Sequence, residues 1–342
     1  MNIFTDFYKS LPKVELHRHL EGSLRLKTIR DIARAEGIAV PPGTGPLSML
    51  VQVQTGDPYT HQNYLAKFNT LRMFYRSPEV IQRVTREAVE DAASDNVRYL
   101  ELRFTPVALS RAESFPLGDV MDWVCESANK AASEFNLLVR LIASVNCHES
   151  VELAEQVAGL AAARIGRGML GLDLAGNEAE FASVPFVGVF KEAHQAGLKL
   201  TIHAGEWAGA ANVQVAMEMF NADRIGHGVR VMENPNTVEM ARERGIAFEV
   251  CMASNYQTGV VQSLQEHPIM KILNAGLNVT ICTDNPSISQ ITLTDEYHRV
   301  CEDLGMDRKI LKERILAAAQ ASFLPEAERD KLMGQLRKEL GV

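Results

Sequence analysis

The sequence predicts an α/β fold, a (β/α)8 TIM barrel with a helical insertion between strands 1 and 2. Three observations point there. Short runs rich in apolar and β-prone residues recur eight times, each followed by a polar or glycine-containing turn, and helix-period stretches fill the gaps between them. The residues able to bind a metal or move a proton gather at the carboxyl ends of those runs, the face on which such barrels build their sites. The length of 342 residues suits one barrel with an insertion. A doubly wound sheet is the main competitor, but no GxGxxG or P-loop turn follows an early strand to support it.

The elements follow in order. The first run, Val14 to His19, is separated from the second, Val97 to Phe104, by more chain than one crossover helix needs. Leu24 to Ala35, Tyr64 to Phe74 and Pro78 to Ala93 all carry helical patterns there. Residues 24–94 are therefore read as an insertion at one barrel mouth, either extra scaffold or a lid that shuts water out of a site. The lid is the reading adopted, because the candidate site residues fall at the same mouth. Pro41-Pro42-Gly43-Thr44-Gly45-Pro46 reads as a surface loop within it. The remaining runs are Leu138 to Asn146, Met169 to Leu174, Leu198 to His203, Arg224 to His227, Ile246 to Cys251 and Asn278 to Thr283, with helices such as Asp119 to Glu134, Val151 to Ala163 and Thr237 to Arg244 between them. No repeat, low-complexity tract or linker interrupts the chain, so residues 1–342 are expected to form a single domain.

Composition narrows the function class. Asp plus Glu number 43 against 35 Lys plus Arg, a net charge of −8, and no long basic run appears. That disfavours nucleic acid and anionic membrane as partners, since both demand clustered positive charge. The five cysteines, Cys125, Cys147, Cys251, Cys282 and Cys301, are odd in number and lack a CxxC pair, which fits a reducing, cytoplasmic compartment better than a disulfide framework. The opening stretch MNIFTDFYKSLPKVELH lacks the signature of a secretory leader, and no segment has the apolar length of a membrane span.

His17 and His19 are two apart, so on a strand both imidazoles face one way and can take adjacent corners of one cation. Such a pair alone is equally at home on a surface or in a satisfied core. His203 ends a strand reading Leu-Lys-Leu-Thr-Ile and Asp284 follows Asn-Val-Thr-Ile-Cys-Thr. If the barrel closes, three imidazoles and one carboxylate converge, and three nitrogens plus one oxygen with room for water form a catalytic zinc set. One ion per chain is expected, because two-metal barrels usually need a bridging ligand, often a modified Lys at the end of strand 4, and Met-Leu-Gly-Leu-Asp-Leu-Ala-Gly offers none. Glu206, in His-Ala-Gly-Glu, is a candidate general acid and base, or else a carboxylate stabilised at a helix amino terminus. His227, in Arg-Ile-Gly-His-Gly, is read as orienting the water at the metal, with a fourth nitrogen ligand or a structural role as alternatives. His61, His148, His194, His267 and His298 carry no motif and are taken as structural or solvated. Glu15 and Lys199 flank ligand strands and are expected to form an ion pair.

Seven motifs complete the reading: Pro-Lys-Val-Glu-Leu-His-Arg-His-Leu-Glu-Gly (12–22), Val-Arg-Tyr-Leu-Glu-Leu-Arg-Phe-Thr-Pro (97–106), Asp-Leu-Ala-Gly-Asn-Glu (173–178), His-Ala-Gly-Glu (203–206), Arg-Ile-Gly-His-Gly (224–228), Ser-Asn-Tyr-Gln-Thr-Gly (254–259) and Thr-Asp-Asn-Pro (283–286). In this order, and over nearly the whole chain, they resemble the adenosine/adenine deaminase family of the metal-dependent amidohydrolases. The resemblance implies zinc held by His17, His19, His203 and Asp284, protonation of purine N1 by Glu206, and a zinc-bound water held and deprotonated by His227 and Asp284. It also implies substrate contacts at His19, Glu21, Gly176 and Asn285, with the Gly176 N–H on purine N3.

The activity implied is hydrolysis of adenosine, and of 2′-deoxyadenosine, to inosine and ammonia in purine salvage, with a small purine nucleoside as the substrate; the sequence is silent on an oligomeric partner. Two positions depart from the commonest pattern. Asn285 stands where many members have an Asp facing N7, and can donate an amide hydrogen there directly. Glu21 stands where adenosine deaminases usually have Asp and looks more like the adenine deaminases, whereas Gly226 and Ser-Asn-Tyr-Gln-Thr-Gly look more like the nucleoside branch. Free adenine or another 6-aminopurine therefore stays open as the substrate. A silent binding protein on the same fold would be expected to have lost a ligand or Glu206, and none is missing. The cytidine-deaminase signature, HxE followed by PCxxC, is absent.

Overall fold

The computed structural model describes residues 3–342; Met1 and Asn2, where the stretch read for a leader begins, lie outside the described residues. Eight strands alternate with helices: β1 (Lys13–His19), β2 (Val97–Phe104), β3 (Leu138–Asn146), β4 (Met169–Ala175), β5 (Lys199–Ala204), β6 (Arg224–His227), β7 (Ala247–Val250) and β8 (Asn278–Ile281). They pair in parallel and in sequence order. The ring closes just beyond β8, where His19 N donates to Asp284 O and Asp284 N donates to His17 O, both at 2.8 Å. The (β/α)8 TIM barrel is thus sealed through three residues of the expected metal set.

Strand alternation decides what faces the barrel axis. In β1, Val14 and Leu16 are buried and alternate with Glu15, His17 and His19, so one strand face is apolar and the other polar. The polar series continues on β2 with Glu101 and Arg103, on β4 with Asp173, on β5 with Thr201 and His203, on β6 with Arg224 and on β7 with Glu249. Most barrels fill this space with branched apolar side chains. Here Arg103 and Arg224 are among the largest fully buried side chains of the molecule, and such cations stay folded only because carboxylates surround them.

The expected ion pair between Glu15 and Lys199 does not form. Glu15 accepts from Thr283 Oγ1 at 2.7 Å, while the exposed Lys199 begins β5 and pairs with Asp223 at 3.0 Å. The reason is direction: Lys199 opens β5 with its side chain exposed, whereas Glu15 is buried inside the barrel.

Between β1 and β2 the chain forms helices Leu26–Ala35, Thr44–Val51, His61–Leu71 and Pro78–Ser94, with a 3₁₀ turn at Arg72–Phe74. Thr60 Oγ1 caps the third helix through Asn63 N at 3.2 Å, and Ser77 Oγ caps the fourth, which Pro78 opens. Part of the segment read as a loop is helical: Thr44, Gly45 and Pro46 form the first turn of Thr44–Val51, where a proline's missing N–H has no intrahelical partner to lose. The fourth helix packs on Leu117–Phe135 in the outer layer of the barrel. The third lies across the mouth. Tyr64 Oη meets Ser289 Oγ at 3.1 Å, and Val53 N donates to Ile288 O at 2.9 Å, so the insertion is fastened to the segment after β8. Among the described residues no helix is long and apolar enough to cross a membrane, and the five cysteines are free thiols.

Candidate active site

The carboxyl ends of the strands open into a cleft of about 640 Å³, open solvent at its mouth included. His19, Glu21, Gly176, His203, Glu206, His227, Asp284 and Asn285 all line it. His17 stands just beneath, fully buried. Ligand atoms of His17, His19 and Asp284 lie within 4.8 Å of one another, as do those of His17, His203 and His227. Asp284 Oδ1 is 3.4 Å from His17 Nε2 and 3.3 Å from His19 Nε2.

Two of the imidazoles are aimed from behind. His17 Nδ1 meets Glu249 Oε2 at 2.8 Å and His203 Nδ1 meets Asp173 Oδ1 at 2.9 Å. A carboxylate on Nδ1 fixes the ring so that Nε2 presents its lone pair to the centre. His17 Nε2 is buried there with no hydrogen-bond partner in the protein, a loss that a cation would offset. The donor set of imidazoles and one carboxylate therefore fits a zinc-like divalent ion.

These supporting carboxylates were not singled out by the sequence reading. Glu249 also accepts from Arg103 Nη2 at 2.8 Å, Arg224 Nε at 2.6 Å and Thr201 Oγ1 at 3.0 Å. Burial opposes its ionisation, yet the two guanidiniums outweigh burial and hold it well below the usual carboxylate range. Asp173 behaves alike, with His203 and Arg103 overcoming burial. The signal for both was available: they occupy inward positions of β4 and β7 in the same period-two pattern as the histidines.

Glu206 has the opposite environment. It is buried, and burial, reinforced by the charges of Asp284 and Glu178, pushes its carboxyl well above the usual range. That environment favours the proton-carrying form a general acid needs, and Oε2 lies 3.6 Å from His227 Nε2. Its loop is held by Glu178, a third carboxylate the sequence reading passed over. That carboxylate accepts from the backbone N–H groups of Gly205 (3.0 Å), Glu206 (2.6 Å), Trp207 (2.9 Å) and Ala208 (3.2 Å), and from Asn212 Nδ2 (2.9 Å). On the other side, Arg230 N and Nη1 donate to Gly205 O and Trp207 O. Trp207 in turn stacks on His61 of the insertion, ring centroids 5.2 Å apart.

Close packing restricts several positions. A Cβ at Gly226 would stand 3.2 Å from His17 Cε1 and from His203 Cα, so a side chain there would press on the imidazoles. A Cβ at Gly22 would stand 2.0 Å from Asn285 Oδ1; that oxygen is buried without a partner, leaving Nδ2 as the end of Asn285 available to the cleft. Glu21 Oε1 accepts from Thr105 N at 2.6 Å, while Oε2 is buried and unpartnered and burial raises the carboxyl's pKa. His227 and Asp284 both adopt left-handed backbone, φ 58° and 65°, a conformation rare outside glycine that recurs where function dictates geometry. Tyr64, Phe68 and Arg72 of the insertion complete the cleft.

The family model described as adenosine deaminase matches residues 12–339. An adenosine deaminase of Clostridium perfringens is 34% identical over 94% of this chain and 97% of its own length. An adenine deaminase from Arthrobacter aurescens has the same fold, with a TM-score of 0.89 at 24% identity over 97% of this chain and 100% of that one. The N6-mAMP deaminase of Arabidopsis has a TM-score of 0.87 at 27% identity, covering 97% and 99%.

Proposed function

The chain belongs to the adenosine deaminase family, and from that premise we propose that it hydrolyses adenosine, and 2′-deoxyadenosine, to inosine and ammonia. The observation that carries this reading is the meeting in one cleft of Glu206, a buried carboxyl whose surroundings favour its protonated form, with the His17, His19, His203 and Asp284 donor set. One zinc per chain would be held by those four residues, and a zinc ion supplies the Lewis acidity that makes water nucleophilic near neutral pH.

The chain's own groups do the rest. Glu206 gives its proton to purine N1, which makes C6 electrophilic. His227 and Asp284 hold the attacking water and take a proton from it; that proton passes to the 6-amino group, which leaves as ammonia. The hydroxyl proton left on C6 returns to Glu206 as the carbonyl forms, so one water is consumed and the acid is restored. The Gly176 N–H meets N3, and Asn285 Nδ2 donates to N7. The insertion helix carrying Tyr64 and Phe68 acts as a lid that limits water in the cleft. The reaction belongs to purine salvage, in the reducing cytoplasm that five free thiols suit.

A second reading, deamination of free adenine or another 6-aminopurine, is favoured by Glu21, which stands where adenosine deaminases usually have Asp and looks more like the adenine deaminases; its Oε2 is buried and partnerless, open to a donor from either substrate. Initial rates of the zinc-loaded protein on adenosine, 2′-deoxyadenosine and adenine decide between them. Both nucleosides are expected to react faster than the base, with about one zinc per chain by elemental analysis. Turnover of adenine alone would overturn the nucleoside assignment.

A further inference from the structure

Behind His227 runs a chain of hydrogen bonds that begins at a backbone amide. Ile269 N donates to His267 Nδ1 at 3.2 Å. An amide N–H is always a donor, so this ring nitrogen is the acceptor and the neutral imidazole carries its proton on Nε2. His267 is buried, and burial pushes its imidazolium pKa down to about 3, so the ring is neutral. Its Nε2 lies 3.2 Å from Asn255 Oδ1; an N–H facing an oxygen settles which way the Asn255 amide points. Asn255 Nδ2 is then directed at His227 Nδ1, 3.1 Å away, and at Glu206 Oε1, 3.4 Å away.

We propose that His267, acting through Asn255, fixes the tautomer of His227, so that His227 turns an N–H and not a lone pair toward the reacting centre. With a proton on Nδ1 instead, two donors would face each other in a buried site. The Nε2–H of His227 lies beside Glu206 Oε2 at 3.6 Å and close to the rings of His17 and His203.

Two consequences follow. A protonated Nε2 has no lone pair for a metal, so His17, His19, His203 and Asp284 remain as the donor set, and His227 is not a fourth imidazole ligand. The roles around the water also divide: His227 donates to the water oxygen and Asp284 accepts its proton. Ser254 Oγ holds Asp284 Oδ2 at 2.6 Å, leaving Oδ1 toward His17 and His19. His267 and Asn255 are positioning residues in this scheme, and only their catalytic consequence rests on the proposed deamination.

The tautomer is read directly by nitrogen NMR of the zinc-loaded protein with 15N-labelled histidine. His227 is expected to show an unprotonated Nδ1 and a protonated Nε2; the reverse pattern in the wild type overturns the proposal, without recourse to any variant. Asn255→Asp places an acceptor before Nδ1 and should invert the pattern, with kcat falling about 10³- to 10⁴-fold while KM and bound zinc change less than about threefold. His267→Phe removes the start of the chain and should cost roughly 10- to 100-fold in kcat with the same split. Unchanged kcat in both variants, or a loss carried by KM and zinc content, also overturns it. Since the spectrum needs no turnover, a wild type inactive on adenosine would unseat the proposed function and leave the tautomer to be judged by its signals.

Discussion

Two layers of the barrel interior are equally polar and differ in how completely their groups are paired. In the deeper layer, Glu249 accepts four hydrogen bonds and Glu101 accepts from Tyr99 Oη, Phe323 N and Arg224 Nη2. Among the described residues of that layer Arg103 alone keeps nitrogens without a hydrogen bond, and its Nη1 stands 3.5 Å from Asp173. At the mouth, His17 Nε2, Glu21 Oε2 and Trp207 Nε1 are buried without partners. Buried polar groups are normally paired, so each exception asks for an explanation. The deeper layer is completed by the protein itself and serves as scaffold, whereas the mouth keeps open groups for the metal and substrate of the proposed function.

The contrast predicts that substitutions in the two layers fail differently. At the mouth, Glu206→Gln should lower kcat on adenosine by about 10³- to 10⁴-fold, with bound zinc and melting temperature close to wild type. Retention of more than about a tenth of the activity would remove Glu206 as the acid. In the deeper layer, Glu249→Gln leaves two buried guanidiniums short of charge and should destabilise the fold by about 3–5 kcal/mol in urea unfolding. Loss of its hold on His17 Nδ1 should also weaken zinc binding by roughly 10- to 100-fold. A stable, zinc-replete variant would show that the layer is not the support assumed here.

Legibility in the sequence follows the same division. Strand positions were readable to within one or two residues because each is a compact apolar run, and the site histidines because they end those runs. The Thr44–Val51 helix was masked by its own proline and glycines. Glu249, Asp173, Glu178 and Asn255 act through partners on other strands or loops, and only ring closure brings His17 of β1 against Glu249 of β7. The left-handed backbone at His227 and Asp284 had no local signal at all, since neither residue is a glycine.

Acid offers the smallest and most selective separation of the two layers. Glu249 and Asp173 have folded-state pKa values below their unfolded ones, so their contribution is complete above the ordinary carboxylate range, near pH 4, and is lost only as pH falls through and below it. His267 also has a depressed folded-state pKa, about 3 against an ordinary value near 6.5. Its contribution is therefore complete above about pH 6.5 and drains away between there and pH 3, because the unfolded chain takes up the proton that the folded one refuses. Between pH 7 and pH 5 the fold should lose stability that His267 contributes, its folded ring staying neutral, while the contribution of the charged layer stays complete. Urea unfolding of wild type should lose about 2 kcal/mol more over that interval than unfolding of His267→Phe, which has no such proton to refuse. Parallel losses in the two proteins would mean that His267 titrates freely in the fold, and the hydrogen-bond chain from Ile269 to His227 would lose the neutral imidazole on which it depends.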